Sequence, residues 1–294
     1  MAYLEKTRSQ IEASSPTEIV DSILSLAERS EKWIDRACIN LYAASNLMSP
    51  TARSLLSSTI ATRVAEGHPG AKHQQGVRYI EKIEALATET AKKLFHTQYA
   101  ELRALSGTMA NAIAYSSLAG IGDTVMSLNV SDGGHISYRK FGVAGLLGIK
   151  TEDLPFDSRR MNVDLTRLSD SIKKVKPKLI VLGGSLILFP YPLEDVREIA
   201  EATGCMIHYD AAHVAGLIPG GQFQDPLSEG AKVMTASTYK TLGGPPGGLV
   251  LSNDHKIAKR IDSAAFPGTT ASIHYNRIAA IAALHVHYCF KKKR

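Results

Sequence analysis

The chain has 294 residues, 44% of them hydrophobic and 21% charged, a balance that allows a sizeable core and excludes a disordered or fibrous protein. Part of the net charge of +6 comes from the terminal run Lys291-Lys292-Lys293-Arg294, which reads as a solvated basic tail. Elsewhere the charges alternate in sign without a basic, aromatic-bearing stripe, so nucleic acid is not an expected partner. Cys38, Cys205 and Cys289 lie far apart and form no CxxC pair. With no apolar core of signal-peptide length and no membrane-spanning stretch, the chain reads as a reduced cytoplasmic protein without a membrane partner.

In chain order, Ser15-Pro16-Thr17-Glu18 has capping-box spacing and opens a helix with Ile19, Ile23, Leu26 and Ala27 on one face. Asn46, Ser49 and Pro50 mark a loop, and Pro69-Gly70 marks another. Apolar residues recur at helical spacing from Val77 to Phe95 (Ile80, Ile83, Leu86, Ala87, Leu94). Short β-rich runs then alternate with helical ones. Strands are predicted at 124–128, 178–182, 205–209, 232–236 and 248–251, with helices at 136–147 and 193–203. Residues 278–289 read as a buried helix. There is no internal repeat or linker. The alternation predicts an α/β fold, with a mainly parallel sheet covered by helices on both faces.

Ligands of such sheets gather at the carboxyl ends of the strands. Three features fall there. Ser106-Gly107-Thr108-Met109-Ala110-Asn111 opens a helix, whose free N–H groups can cup a phosphate. Tyr209-Asp210-Ala211-Ala212-His213 sets a carboxylate at a strand end, followed by small residues. Ser237-Thr238-Tyr239-Lys240 brings hydroxyls and an amine together before a tight Gly/Pro turn. An amine for a Schiff base, a carboxylate for a pyridine nitrogen and a phosphate cup are the parts that pyridoxal phosphate needs. Each part has an ordinary reading as well: a strand-end cap, a helix cap, a surface lysine. His208-x-Asp210-x-x-His213 also permits a metal-hydrolase reading, and a non-catalytic interaction subunit is a third; the expectation here is that no metal is bound.

The order of these motifs resembles serine hydroxymethyltransferase. The resemblance rests on Asp210–Leu217, Ser237–Pro245, Ala65-Glu66-Gly67-His68-Pro69-Gly70, Asp132-Gly133-Gly134-His135 and Phe266-Pro267-Gly268. Glu152–Asp157 and Val181–Ser185 are similar to the archaeal-type branch. It runs from about Asn40 to His274. It implies the large domain of PLP fold type I, with a seven-stranded-type sheet. Lys240 would carry the internal aldimine, Asp210 the pyridinium nitrogen and His213 the ring hydroxyl, and His135 would stack on the ring. Ser106, Gly107 and Thr108 would hold the phosphate, with Ser185, Ser237 and Tyr239 nearby. Glu66 would be an acid/base group and Gly268 a phosphate contact, both supplied across a homodimer interface. The implied reaction interconverts serine and glycine with tetrahydrofolate or a related pterin as co-substrate. The alternative is a folate-independent aldolase or transaldolase of β-hydroxy amino acids, or a truncated binder of the cofactor with little activity.

Several positions depart from the family pattern. Leu41-Tyr42-Ala43-Ala44-Ser45-Asn46 stands for Leu-Ile-Ala-Ser-Glu-Asn. Val64 replaces a tyrosine, and His73 and Gln74 replace an adjacent tyrosine pair. Tyr239 replaces a histidine, and Pro246 the arginine of Gly-Pro-Arg-Gly-Gly. The family continues into a small C-terminal domain with a carboxylate-binding arginine, and the expectation is that this domain is missing. Arg53 and Arg277 match no such position. The expected organisation is an N-terminal helical segment over 1–40, a PLP-binding large domain over 41–290 and the basic tail over 291–294.

Overall fold

A computed structural model describes residues 2–291, so Lys291 closes the last helix and the rest of the basic tail lies outside the described residues. The chain divides into two compact units, Met1–Tyr42 and Ala43–Arg294. In the first, α1 (Ala2–Ala13) precedes α2 (Pro16–Lys32). The capping box forms: the Glu18 N–H donates to Ser15 Oγ, and the Ser15 N–H donates to the Glu18 carboxylate at 2.7 Å. The apolar face of α2 stays open, with Ile23 and Leu26 exposed.

The second unit begins with α3 (Pro50–Leu56) and α4 (Arg78–Leu94), followed by β1 (Tyr99–Glu101), α5 (Gly107–Leu118), β2 (Thr124–Ser127) and β3 (Lys150–Asp153). Next come α6 (Leu165–Val175), β4 (Leu179–Gly183), α7 (Leu193–Glu201) and β5 (Met206–Asp210). The last elements are β6 (Val233–Ser237), β7 (Gly248–Ser252), α8 (His255–Ser263) and α9 (Tyr275–Lys291). The seven strands form one sheet in the order β1-β7-β6-β5-β4-β2-β3. Neighbours from β6 to β3 run parallel, whereas β7 is antiparallel to both β6 and β1.

Every residue of β4, β6 and β7 is buried, as expected for strands covered on both faces. Their alternation divides the core in two. Ile180, Leu182, Ile207 and Met234 join α4 and α9 in one cluster, while Leu179, Val181, Val233 and Val250 join α5 and α8 in the other.

The helix expected over 136–147 is not continuous. A 3₁₀ turn at Ile136–Tyr138 is separated from one α-turn at Val143–Leu146. The Ser137 N–H bonds the His135 ring at 3.2 Å, and the backbone is extended at Arg139 and Gly142. These local bonds replace the helical ladder. Strands β1 and β3 and helices α6 and α8 lie outside the elements that the sequence predicts. β1 has only three residues, and β3 is a polar edge strand, Lys-Thr-Glu-Asp, without an apolar period.

Candidate active site

Asp210 is the last residue of β5 and Ser237 the last of β6, and these strands are parallel neighbours. Their carboxyl ends therefore open on one rim, where the N-terminus of α5 also points. A cavity opens there. Ser106, Gly107, Thr108 and Ser237 line it together with Asp210, His135, His213, Tyr239 and Lys240.

Ser106 caps α5, its Oγ accepting from the Met109 N–H at 3.1 Å. The first-turn N–H groups have no acceptor within the helix, and the dipole favours an anion beside them. Gly107 leaves room for a neighbouring hydroxyl: a Cβ there would meet Ser237 Oγ at 2.3 Å and turn it away. The missing side chain is what lets the Ser237 hydroxyl join the cup.

Asp210 is buried, and its carboxylate has identifiable partners. Oδ1 accepts from the Ala212 N–H at 2.9 Å; Oδ2 accepts from Asn111 at 2.8 Å and from the Tyr138 hydroxyl at 2.7 Å. A carboxylate offers about four lone-pair sites. These three donors leave one site, the requirement of a single ring N–H. Behind Asp210, the Thr235 hydroxyl donates to Asn111 Oδ1 at 2.7 Å and lies 2.8 Å from His208 Nε2. Since Thr235 has spent its only proton on Asn111, His208 is the donor to Thr235 and carries its hydrogen on Nε2. Burial pushes the His208 imidazole down to about 4, so the ring is neutral.

Lys240 is 8% exposed, and its Nζ lies 2.9 Å from His213 Nε2. Burial lowers the ammonium below the ordinary lysine value, against the opposing Asp210 charge. Burial, with Lys240 next in importance, pushes His213 down to about 4. His213 is therefore neutral and accepts from the lysine. Asn46 Nδ2 donates to the Lys240 carbonyl at 3.0 Å and ties down the lysine backbone. The His135 imidazole is held by Ser137 through Nδ1, and burial lowers its pKa.

Three expected site residues do not line this cavity. Glu66 sits before the small hairpin Gly67–His68/Ala71–Lys72; its N–H donates to Gln74 Oε1 at 2.7 Å, and its carbonyl accepts from the His73 N–H at 3.0 Å. Ser185 gives its N–H to the Gly133 carbonyl at 2.8 Å, and Gly184 lines the wall in its place. Gly268 follows the cis Phe266–Pro267 peptide. Arg277 does not line it either, being buried with Nη2 on the Leu102 carbonyl. Asn111 and Tyr138 do line it, and sequence reasoning gave them no role. Asn111 had one signal, a polar residue among the buried apolar positions of α5.

Among the described residues no three His, Cys, Asp or Glu side chains gather as metal ligands. His208, Asp210 and His213 have separate partners. No described helix is long and apolar enough to cross a membrane. The cavity's donor set fits pyridoxal phosphate: one open acceptor on a buried carboxylate, an amine of lowered pKa, and a serine-lined helix N-terminus.

The chain is similar to known proteins over most of its length. The family model for serine hydroxymethyltransferase matches residues 17–292. An alpha-methylserine aldolase from Ralstonia sp is 42% identical over 280 residues, covering 95% of this chain and 64% of the relative. The serine hydroxymethyltransferase of Pyrococcus abyssi is 42% identical over 266 residues, with 89% and 62% covered. That of Sulfolobus acidocaldarius is 40% identical over 277 residues, with 94% and 64% covered. The chain thus spans less than two thirds of the length of these relatives.

Proposed function

The chain belongs to the serine hydroxymethyltransferase family, a family of pyridoxal-phosphate enzymes, and on that premise we propose that it acts at the α-carbon of small amino acids through Lys240. The proposed reaction is a transfer that interconverts serine and glycine, with tetrahydrofolate or a related pterin carrying the one-carbon unit. The observation that carries this reading is the pairing of Lys240 with neutral His213, at 2.9 Å, beside a buried Asp210 that keeps one acceptor site open. When bound, the cofactor supplies an electron sink for the pair left at Cα as the Cα–Cβ bond breaks.

The chain's own residues prepare that chemistry. The lowered pKa of Lys240 enlarges the population of free amine available to an aldehyde, and His213 Nε2 orients that amine by accepting its hydrogen bond. Three donors orient Asp210 so that its remaining lone-pair site would meet a ring N–H. Ser106, Gly107, Thr108 and Ser237 would hold the phosphate, with Tyr239 beside it and Ser185 just behind Gly184, and His135 would stack on the ring. Glu66 would move a proton on the substrate and Gly268 would meet the phosphate. Since neither lines the cavity of its own chain, both are assigned to a second copy in a homodimer. The PLP-binding domain is assigned to 41–290 and the protein to the cytoplasm.

A second reading, a folate-independent aldolase, is favoured by Gln74. This residue stands where the family pattern has a tyrosine, and its side chain is committed to the Glu66 N–H. Relatives named alpha-methylserine aldolase add to that support.

The test is spectroscopic. The purified protein with pyridoxal phosphate should be yellow, and borohydride should leave a covalent adduct on Lys240 that Lys240→Ala abolishes; an adduct on another lysine would sink the assignment. Serine or threonine is then added with and without tetrahydrofolate. Aldehyde release that needs no pterin selects the second reading.

A further inference from the structure

Arg277, on α9, is 4% exposed, and its Nη2 donates to the Leu102 carbonyl at 2.8 Å. Nε and Nη1 are buried and have no partner among the described residues. Glu101 is the carboxylate that acts on it electrostatically, but Arg103 engages both Glu101 oxygens. A buried guanidinium without a paired anion opposes folding, and its retention asks for an anion elsewhere.

The guanidinium lies against Gly247. A side chain there would bring its first carbon to 2.5 Å from Nη1 and 2.9 Å from Thr238 Oγ1. Successive residues of an extended chain face opposite sides. Gly248 accordingly faces away from Arg277, where a Cβ would lie 2.3 Å from the Ser106 carbonyl oxygen. Ser106 caps α5, so only the Gly247–Gly248 backbone separates Arg277 from the start of the phosphate cup. The turn before it also carries Pro246, at the place where the family pattern has an arginine. The cation reaches this turn from α9 instead.

We propose that Arg277 is the buried counter-charge of the phosphate held at Ser106–Thr108 and Ser237, acting through one layer of backbone as a positioning residue. The inference rests on the reading of Lys240 as the cofactor lysine. Two positive sources, the helix N-terminus and the guanidinium, then bear on the anion through a medium containing little water, where charges interact strongly. The affinity they confer belongs to the phosphate and not to the ring.

The test compares pyridoxal phosphate with pyridoxal, which lacks the phosphate, in the 294-residue chain. Dissociation constants are measured for the wild type, Arg277→Gln and Arg277→Lys, with folding checked by circular dichroism. Arg277→Gln should weaken pyridoxal phosphate about tenfold or more and leave pyridoxal within about twofold, while Arg277→Lys should recover most of the loss. Equal losses for both ligands, or a lysine variant as poor as the glutamine one, would show a merely structural residue and overturn the proposal. Should Arg277→Gln not fold, Gly247→Ala displaces Nη1 while keeping the charge. It should also lower the preference for the phosphorylated ligand, and an unchanged preference overturns the proposal. A wild-type chain with no trapped adduct on Lys240 overturns the functional reading and this inference together. A normal adduct with an unchanged preference overturns this inference alone.

Discussion

The Tyr138 hydroxyl donates to Asp210 Oδ2 at 2.7 Å, on the same oxygen that accepts from Asn111 at 2.8 Å. Two neutral donors on one buried carboxylate oxygen fix its orientation without a counter-cation, and they leave a lone-pair site elsewhere on the group for a ring nitrogen.

Tyr138→Phe removes one of these donors and little volume. A hydrogen bond to a charged group is worth roughly 1.5–3 kcal/mol, so pyridoxal phosphate affinity should fall about ten- to a hundredfold. Asn111→Ala should lose a similar amount of affinity and more stability, because the Thr235 hydroxyl also loses its acceptor. Cofactor titration and thermal denaturation of the two variants check both parts. Equal melting temperatures would contradict the network.

The depressed pKa of Lys240 predicts a pH profile. The free amine should become available to an aldehyde below the ordinary lysine pH, because burial disfavours the ammonium. Asp210 opposes this shift, so Asp210→Asn should move the midpoint lower still. The rate of adduct trapping against pH reads both, and a midpoint that rises in Asp210→Asn would refute the assignment of causes.

Burial pushes His208 and His285 down to about 4, from an ordinary value of 6.5. Between those values the unfolded chain binds protons that the folded chain does not, so stability rises with pH through this window. It is fully present above about 6.5 and is lost as pH falls toward about 4, by on the order of 3 kcal/mol per histidine at one pKa unit per 1.4 kcal/mol. Denaturant melts at several pH values should show the slope. His285→Leu should remove about one proton from it.

The assignment of Glu66 to a partner's site predicts complementation. Neither Lys240→Ala nor Glu66→Gln alone should turn over substrate at an appreciable rate. After mixing and reassembly, half of the dimers pair the two variants, and each such dimer has one intact site. Recovery should reach about a quarter of the wild-type rate. No recovery, with mixed dimers shown by sedimentation and mass spectrometry, would place Glu66 in its own chain's site.

What was legible in the sequence is what local chemistry determines. The capping box at Ser15–Glu18, the start of α5 at Ser106, and the buried strands ending near Asp210 and Lys240 each follow from a few adjacent residues. Their order along the chain pointed to the cofactor before any contact was known. The family pattern also named Glu66 and Gly268, but only the folded chain shows that neither lines the Lys240 cavity. The break in 136–147 came from side-chain bonds that compete with a helix, which apolar spacing does not register. Tertiary structure alone joined Asp210 to Tyr138, 72 positions away, and to Asn111, 99 positions away. It alone set Arg277 of α9 against Gly247. Periodicity reports which face of an element is buried, whereas the partner met there depends on how strands distant in sequence are ordered in the sheet.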